Sequence, residues 1–164
     1  MKKNTHTTSV SRQVSPLYAI FWSGTVSGLL DAIAACTVFY LKQGFSPAEV
    51  MKFIATGIYG PEAFAGGTPM VILGIFLHFF IAFAIAGIYY YLFPNFRILR
   101  SRPVLSGFIF GAVIWIVMNI IIIPLTQVPP APFETSAAAI SIIWHMVLVG
   151  LPISIITKRA FSAY

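Results

Sequence analysis

The sequence predicts an all-α integral membrane protein built as a bundle of four transmembrane helices, and three observations carry the prediction. Four apolar runs, at about 17–41, 70–93, 103–125 and 137–157, are each long enough to cross a hydrocarbon core as a helix. None of them alternates with the two-residue period of a barrel strand. Of the 164 residues only 9% are charged and 59% are hydrophobic, whereas a water-facing surface needs far more charge.

Each element has its own signals. The first run follows a polar tail, 1–16, that holds Lys2, Lys3 and Arg12. Thr68-Pro69 precedes the second run, Pro103 opens the third and Thr135-Ser136 precedes the fourth, all residue types that favour a helix start. Pro124 is expected to close the third helix and Pro152 to kink the fourth. Between the first two spans, "SPAEVMKFIATGIYG" begins with a capping box, Ser46 with Glu49, and has Pro47 at the first helical position. Val50, Phe53, Ile54 and Ile58 share one face there. A short amphipathic helix at about 47–58, lying in the outer interface, is the expectation. Residues 17–157 thus form one transmembrane domain, with 158–164 as a second tail.

Charge placement sets the orientation. The net charge of +6 comes from basic residues in short clusters: the N-terminal tail, then Arg97, Arg100 and Arg102, then Lys158 and Arg159. The opposite loops hold Lys42 and Lys52 beside Glu49, Glu62 and Glu134. The positive-inside rule puts both termini in the cytoplasm, and the same placement argues for membrane topology over nucleic-acid binding. Cys36 is the sole cysteine, so no intrachain disulfide can form. "IAAC", Ile33–Cys36, has the look of a lipoprotein cleavage box. The apolar run continues past it and Asp31 interrupts the would-be leader, so Cys36 reads as a small membrane-buried residue.

The candidate site is a set of polar residues inside apolar runs. Asp31, His78, Asn119 and His145 each fall slightly outside the midpoint of a different helix, which places them at similar depth. Stripes of small residues run with them: Gly24 and Gly28 before Asp31, Gly74 before His78, Gly107 and Gly111 before Trp115 and Asn119, and Ala138 and Ser141 before His145. Small residues allow close helix approach, so these stripes are the expected interior faces. A carboxylate at mid-membrane costs about 2.5–3.5 kcal/mol on insertion scales, and intramembrane acids and histidines mark ion pathways when they are not simple interhelical glue.

Three functions fit this pattern. The first is proton-linked or small-solute transport or sensing, with Asp31, His78 and His145 exchanging protons. The second is a non-catalytic oligomeric scaffold or assembly factor, joined through the G-x-x-x-G faces. The third is a bis-histidine haem b, or a metal, held by His78 and His145. No resident cofactor is otherwise expected. No nucleophile–base pattern, phosphate loop or zinc motif points to an enzyme. A chain of this length has little room for two rocking repeats, so transport would favour a homodimer.

The run "GGTPMVILGIFLHFFIAFAIAGIYYYLFPNFRIL", the glycine-bearing third helix ending "NIIIIPLTQVPPAPF", and "IIWHMVLVGLPISII" resemble the YagU-like family of bacterial inner-membrane proteins. The likeness covers about 17–157 and rests on His78, the Tyr-rich end of the second helix, Pro94, Gly107, Pro124, Pro129-Pro130 and His145. It implies a four-helix protein of the bacterial inner membrane and carries no established reaction or ligand. Relatives can bear histidine where Asn119 stands and a basic residue near the place of Asp31, so the two histidines are the positions the resemblance favours.

Overall fold

A computed structural model describes residues 15–162 except 131 and 133. The N-terminal tail expected over 1–16, with its Lys2, Lys3 and Arg12, therefore lies almost wholly outside the described residues. Within them the chain is helical and contains no strand. The helices are α1 (Pro16–Gln43), α2 (Pro47–Tyr59), α3 (Gly67–Leu92), α4 (Arg97–Ser101), α5 (Pro103–Ile116), α6 (Thr135–Trp144) and α7 (Leu151–Ser162). Four stretches are long and apolar enough to cross a membrane: α1, α3, Pro103–Leu125 and Thr135–Ser162.

Local chemistry sets the ends. Ser15 accepts the Tyr18 N–H at 3.2 Å and Pro16 opens α1. Gly44, at φ 73°, stops it in the left-handed conformation that glycine adopts without strain. α2 begins with the capping box the sequence shows: Ser46 Oγ accepts the Glu49 N–H, and Glu49 Oε2 accepts the Ser46 N–H at 2.7 Å.

The third and fourth spans are not uniform α-helices. A π segment, Val117–Ile122, continues α5 and ends two residues before Pro124, and a short 3-10 turn, Ile123–Leu125, finishes the span. A second π segment, His145–Gly150, joins α6 to α7 and ends two residues before Pro152. Proline has no N–H to give the carbonyl four residues back, and its ring crowds that carbonyl. Widening the preceding turn relieves the crowding. Pro152 thus acts through an inserted wide turn, and the fourth span remains helical to Ser162, carrying Lys158 and Arg159 on α7.

Glycines set how closely the helices approach. A Cβ on Gly24 would fall 2.4 Å from the Phe83 ring, and one on Gly111 would fall 2.3 Å from the His145 carbonyl oxygen. α5 and the His145–Gly150 segment thus meet backbone to backbone, and so do α2 and α3 at Gly74, where a Cβ would lie 1.9 Å from the Met51 carbonyl oxygen. This contact corrects the expected face of α2. Val50, Met51, Ala55 and Thr56 are buried, while Ile58 is 47% exposed. Close approach favours the smaller side chains of α2 toward α3, and Phe53 turns to the Phe39 ring, 5.3 Å away.

At the end of the bundle where α3 finishes, Ala86, Tyr89, Phe93, Val149 and Ile153 form a core, with Ile20, Leu99, Phe110 and Phe161 against it. Tyr89 donates to Ser154 Oγ at 2.8 Å and Ser154 donates to the Pro103 carbonyl at 2.6 Å, tying α3, α5 and α7 together. At the other end, Lys42 and Glu134 form an ion pair at 2.9 Å and the Gln127 N–H donates to the Gly57 carbonyl at 3.2 Å. The two ends are therefore fixed by different means, and the polar residues of the spans lie between them.

Candidate functional site

On α1 the stripe leading to Asp31 is buried: Ser23, Gly24, Ser27 and Gly28. Both serines turn their hydroxyls back onto their own helix, Ser23 to the Ala19 carbonyl at 2.7 Å and Ser27 to the Gly24 carbonyl at 3.2 Å. That leaves the face free of unmet donors, which suits glycine-mediated packing in lipid. Gly28 lies under Phe79 and Ala82 of α3. The approach lets His78 reach across, with Nε2 at 2.8 Å from the Gly28 carbonyl oxygen. A carbonyl can only accept, so Nε2 carries the proton and His78 is bound to the α1 backbone.

Asp31 lies about one turn further along α1 and meets α6. Trp144 Nε1 donates to Asp31 Oδ1 at 2.9 Å, and His145 Nε2 stands 3.8 Å from the same oxygen. The His145 and Asp31 side chains keep only 16% and 22% exposure. His145 Nδ1 is 2.7 Å from the Ser141 carbonyl oxygen, so that nitrogen is the proton carrier. Ser141 Oγ in turn accepts the Trp115 Nε1–H at 2.6 Å and donates to the Ala138 carbonyl at 3.2 Å. The Trp144 and His145 rings stack with centroids 5.5 Å apart. One carboxylate oxygen is therefore shared by an indole N–H and an imidazole nitrogen, and the imidazole is held from behind by its own helix.

The chemistry follows from the valences. With Nδ1 protonated and bound to Ser141, a neutral His145 presents a bare nitrogen to Asp31. Uptake of one proton at Nε2 turns that facing pair into carboxylate and imidazolium, and the alternative is a carboxylic acid beside the neutral ring. At 3.8 Å the two atoms are within ion-pair range and farther apart than in a direct hydrogen bond. The pair can hold a proton between an acid and a base, with the Trp144 indole on both partners.

Not every predicted member arrives. Asn119 is exposed and donates to the Trp115 carbonyl of its own helix at 2.9 Å. The reason is angular. A helix turns about 100° per residue, so each four-residue step along Gly107, Gly111, Trp115 and Asn119 overshoots by about 40°, and three steps by about 120°. The π segment that begins at Val117 changes the register again. The two histidines do not act as a pair either. His78 binds Gly28 of α1, and the available nitrogen of His145 faces Asp31. An iron on that nitrogen would displace the carboxylate, so these residues do not suit a bis-histidine haem. No group of three or more His, Cys, Asp or Glu that could hold a metal gathers among the described residues. Gly24, Gly28, Gly107 and Gly111 all pack within the chain, against Phe83, Phe79, Leu151 and His145.

Trp144 is the member that sequence reasoning missed. Its signal was position: tryptophan is enriched at membrane interfaces, whereas Trp144 sits well inside the fourth span. A half-buried indole N–H within an apolar span requires an acceptor, and Asp31 supplies it.

No family model, curated protein or solved structure matches this chain.

Proposed function

We propose that this multi-pass membrane protein is a non-enzymatic device for proton-linked or small-solute transport or sensing, with Asp31 and His145 as its protonatable centre. The observation that carries the reading is the 3.8 Å contact between Asp31 Oδ1 and His145 Nε2 inside two apolar spans. Buried acids and histidines in membrane helices are costly and concentrate where ions or protons move. Trp144 steadies the carboxylate, Ser141 fixes the imidazole tautomer, and His78 holds α3 to α1 beside the pair. In this reading the protein belongs to the bacterial inner membrane with both termini in the cytoplasm, as the basic clusters suggest. α2 covers the outer end of the bundle at the interface. The likeness to the YagU-like family, through His78 and His145 among other positions, supports the same setting.

The test is proton flux into proteoliposomes loaded with a pH-sensitive dye under an imposed gradient. Wild type should dissipate the gradient faster than empty vesicles, and Asp31→Asn and His145→Gln should return it to the empty-vesicle rate. Equal rates in all four samples would remove transport. Sensing would then require that wild-type indole fluorescence titrate with pH in a component that Trp144→Phe and Asp31→Asn both abolish.

A further inference from the structure

Charge of one sign occupies one end of this molecule. Arg97 and Arg100 lie on α4, Arg102 joins α4 to α5, and Lys158 and Arg159 lie on α7. The core formed by Tyr89, Phe93 and Ile153, with Leu99 and Phe161 against it, brings α4 and the last turns of α7 to the same end. The chain has four acidic side chains. Asp31 is within α1, and Glu49, Glu62 and Glu134 belong to the segments at the opposite end. The ion pairs among the described residues are Lys42–Glu134 and Asp31–His145, so none of these five cations has an anionic partner there. The three arginines are exposed.

A shallow, open apolar groove of about 430 Å³ begins at Arg102 and is lined by it with Pro103, Val104, Leu105 and Phe108. Its lining is apolar throughout and follows the chain: the aliphatic stem of Arg102 first, then four apolar side chains over the first turns of a membrane-spanning helix. That order matches a phospholipid, with a charged head at the surface and an acyl chain descending beside the helix. Lipid-facing apolar residues alone would give no preference between lipids. The added feature is three exposed arginines with no carboxylate partner among the described residues, which favours a negatively charged head group. Arginine suits phosphate because its planar fork donates two parallel hydrogen bonds.

We infer that the α4–α5 corner is a seat for an anionic phospholipid, with the phosphate on Arg102 and its neighbours Arg97 and Arg100, and one acyl chain in the groove of Val104, Leu105 and Phe108. Purified protein can be offered equal amounts of phosphatidylglycerol and phosphatidylcholine of the same chain length, and the retained lipid counted by native mass spectrometry. Wild type should retain phosphatidylglycerol in preference by at least about tenfold. Exchanging Arg97, Arg100 and Arg102 for Gln should abolish the preference, whereas Lys158→Gln with Arg159→Gln should keep it. Leu105→Trp, which fills the groove and keeps every arginine, should also release the lipid. Equal retention of both lipids overturns the proposal, as does loss of the preference in the α7 control. Competition by inorganic phosphate with no effect of Leu105→Trp would show a free-anion site in place of a lipid seat. A photoactivatable phosphatidylglycerol with the reactive group on its acyl chain tests the unaltered protein. Crosslinks should map to Val104–Phe108, and crosslinks confined to other helices would sink the assignment.

Discussion

His78 Nε2 bonds the Gly28 carbonyl at 2.8 Å, joining α3 to the α1 backbone three residues before Asp31. The bond is possible because Gly28 has no side chain to hold the helices apart. It predicts a structural role for His78 that is separable from proton chemistry. His78→Ala should destabilise the fold by about 0.6–1.7 kcal/mol, the range for interhelical hydrogen bonds in membranes, and His78→Gln, which retains a donor, by less. Reversible unfolding in mixed micelles measures both. If His78→Gln loses proton flux while remaining as stable as wild type, His78 belongs to the proton route itself.

Two glycines of α3 should respond in opposite ways. Gly74→Ala pushes a methyl into the Met51 carbonyl and should lower the melting temperature by separating α2 from α3. At Gly87 a Cβ meets nothing nearer than Ile20 Cδ1 at 4.0 Å. Gly87→Ala should therefore be neutral or stabilising by up to about 1 kcal/mol, from helix propensity alone. Similar melting temperatures for the two variants would show that the α2–α3 approach is looser than described.

Pro152→Ala restores an N–H to the helix and removes the cause assigned to the π segment His145–Gly150. If the wide turn reverts to α-helical spacing, α6 rotates by about 100° relative to α7. The packing of Ile153, Ser154 and Thr157, all fully buried, holds α7 in place, so the rotation falls on Trp144 and His145. Stability should be unchanged or higher while proton flux falls. Wild-type flux in this variant would show that the wide turn does not aim the histidine.

The capping box of α2 should be pH-sensitive. Glu49 is held below its ordinary value first by the Ser46 backbone N–H and then by the Ser46 hydroxyl. A lowered native value means the box contributes fully above the unfolded carboxylate range and is lost as pH falls through the lowered value. Amide exchange of Val50 should therefore accelerate, relative to its intrinsic rate, as pH falls below about 4.5. In Glu49→Ala that difference between high and low pH should vanish. An identical pH response in wild type and Glu49→Ala would contradict the assignment.

The four spans and the capped α2 were legible because length, hydropathy and capping chemistry are local properties of the chain. The Asp31–His145 meeting was half legible: depth can be counted along each helix, and the glycine stripe pointed Asp31 inward. Asn119 was misplaced because a four-residue repeat drifts around a helix of 3.6 residues per turn, and because Pro124 acts on the turn before it. Trp144 went unread because an indole in an apolar run looks like lipid-facing bulk until its N–H is asked for an acceptor. The rotated face of α2 depends on a single missing side chain, Gly74, on another helix.

The bond between Asp31 and Trp144 spans 113 residues of sequence, and this separation has a cost in time. At about 5–20 residues per second, the ribosome needs roughly 6–23 s to make the partner after the acid. During that interval the first span must enter the membrane with its carboxylate unanswered by either indole or imidazole. The fourth span thus completes the first, and a chain halted before the fourth span would display an unmatched acid to lipid.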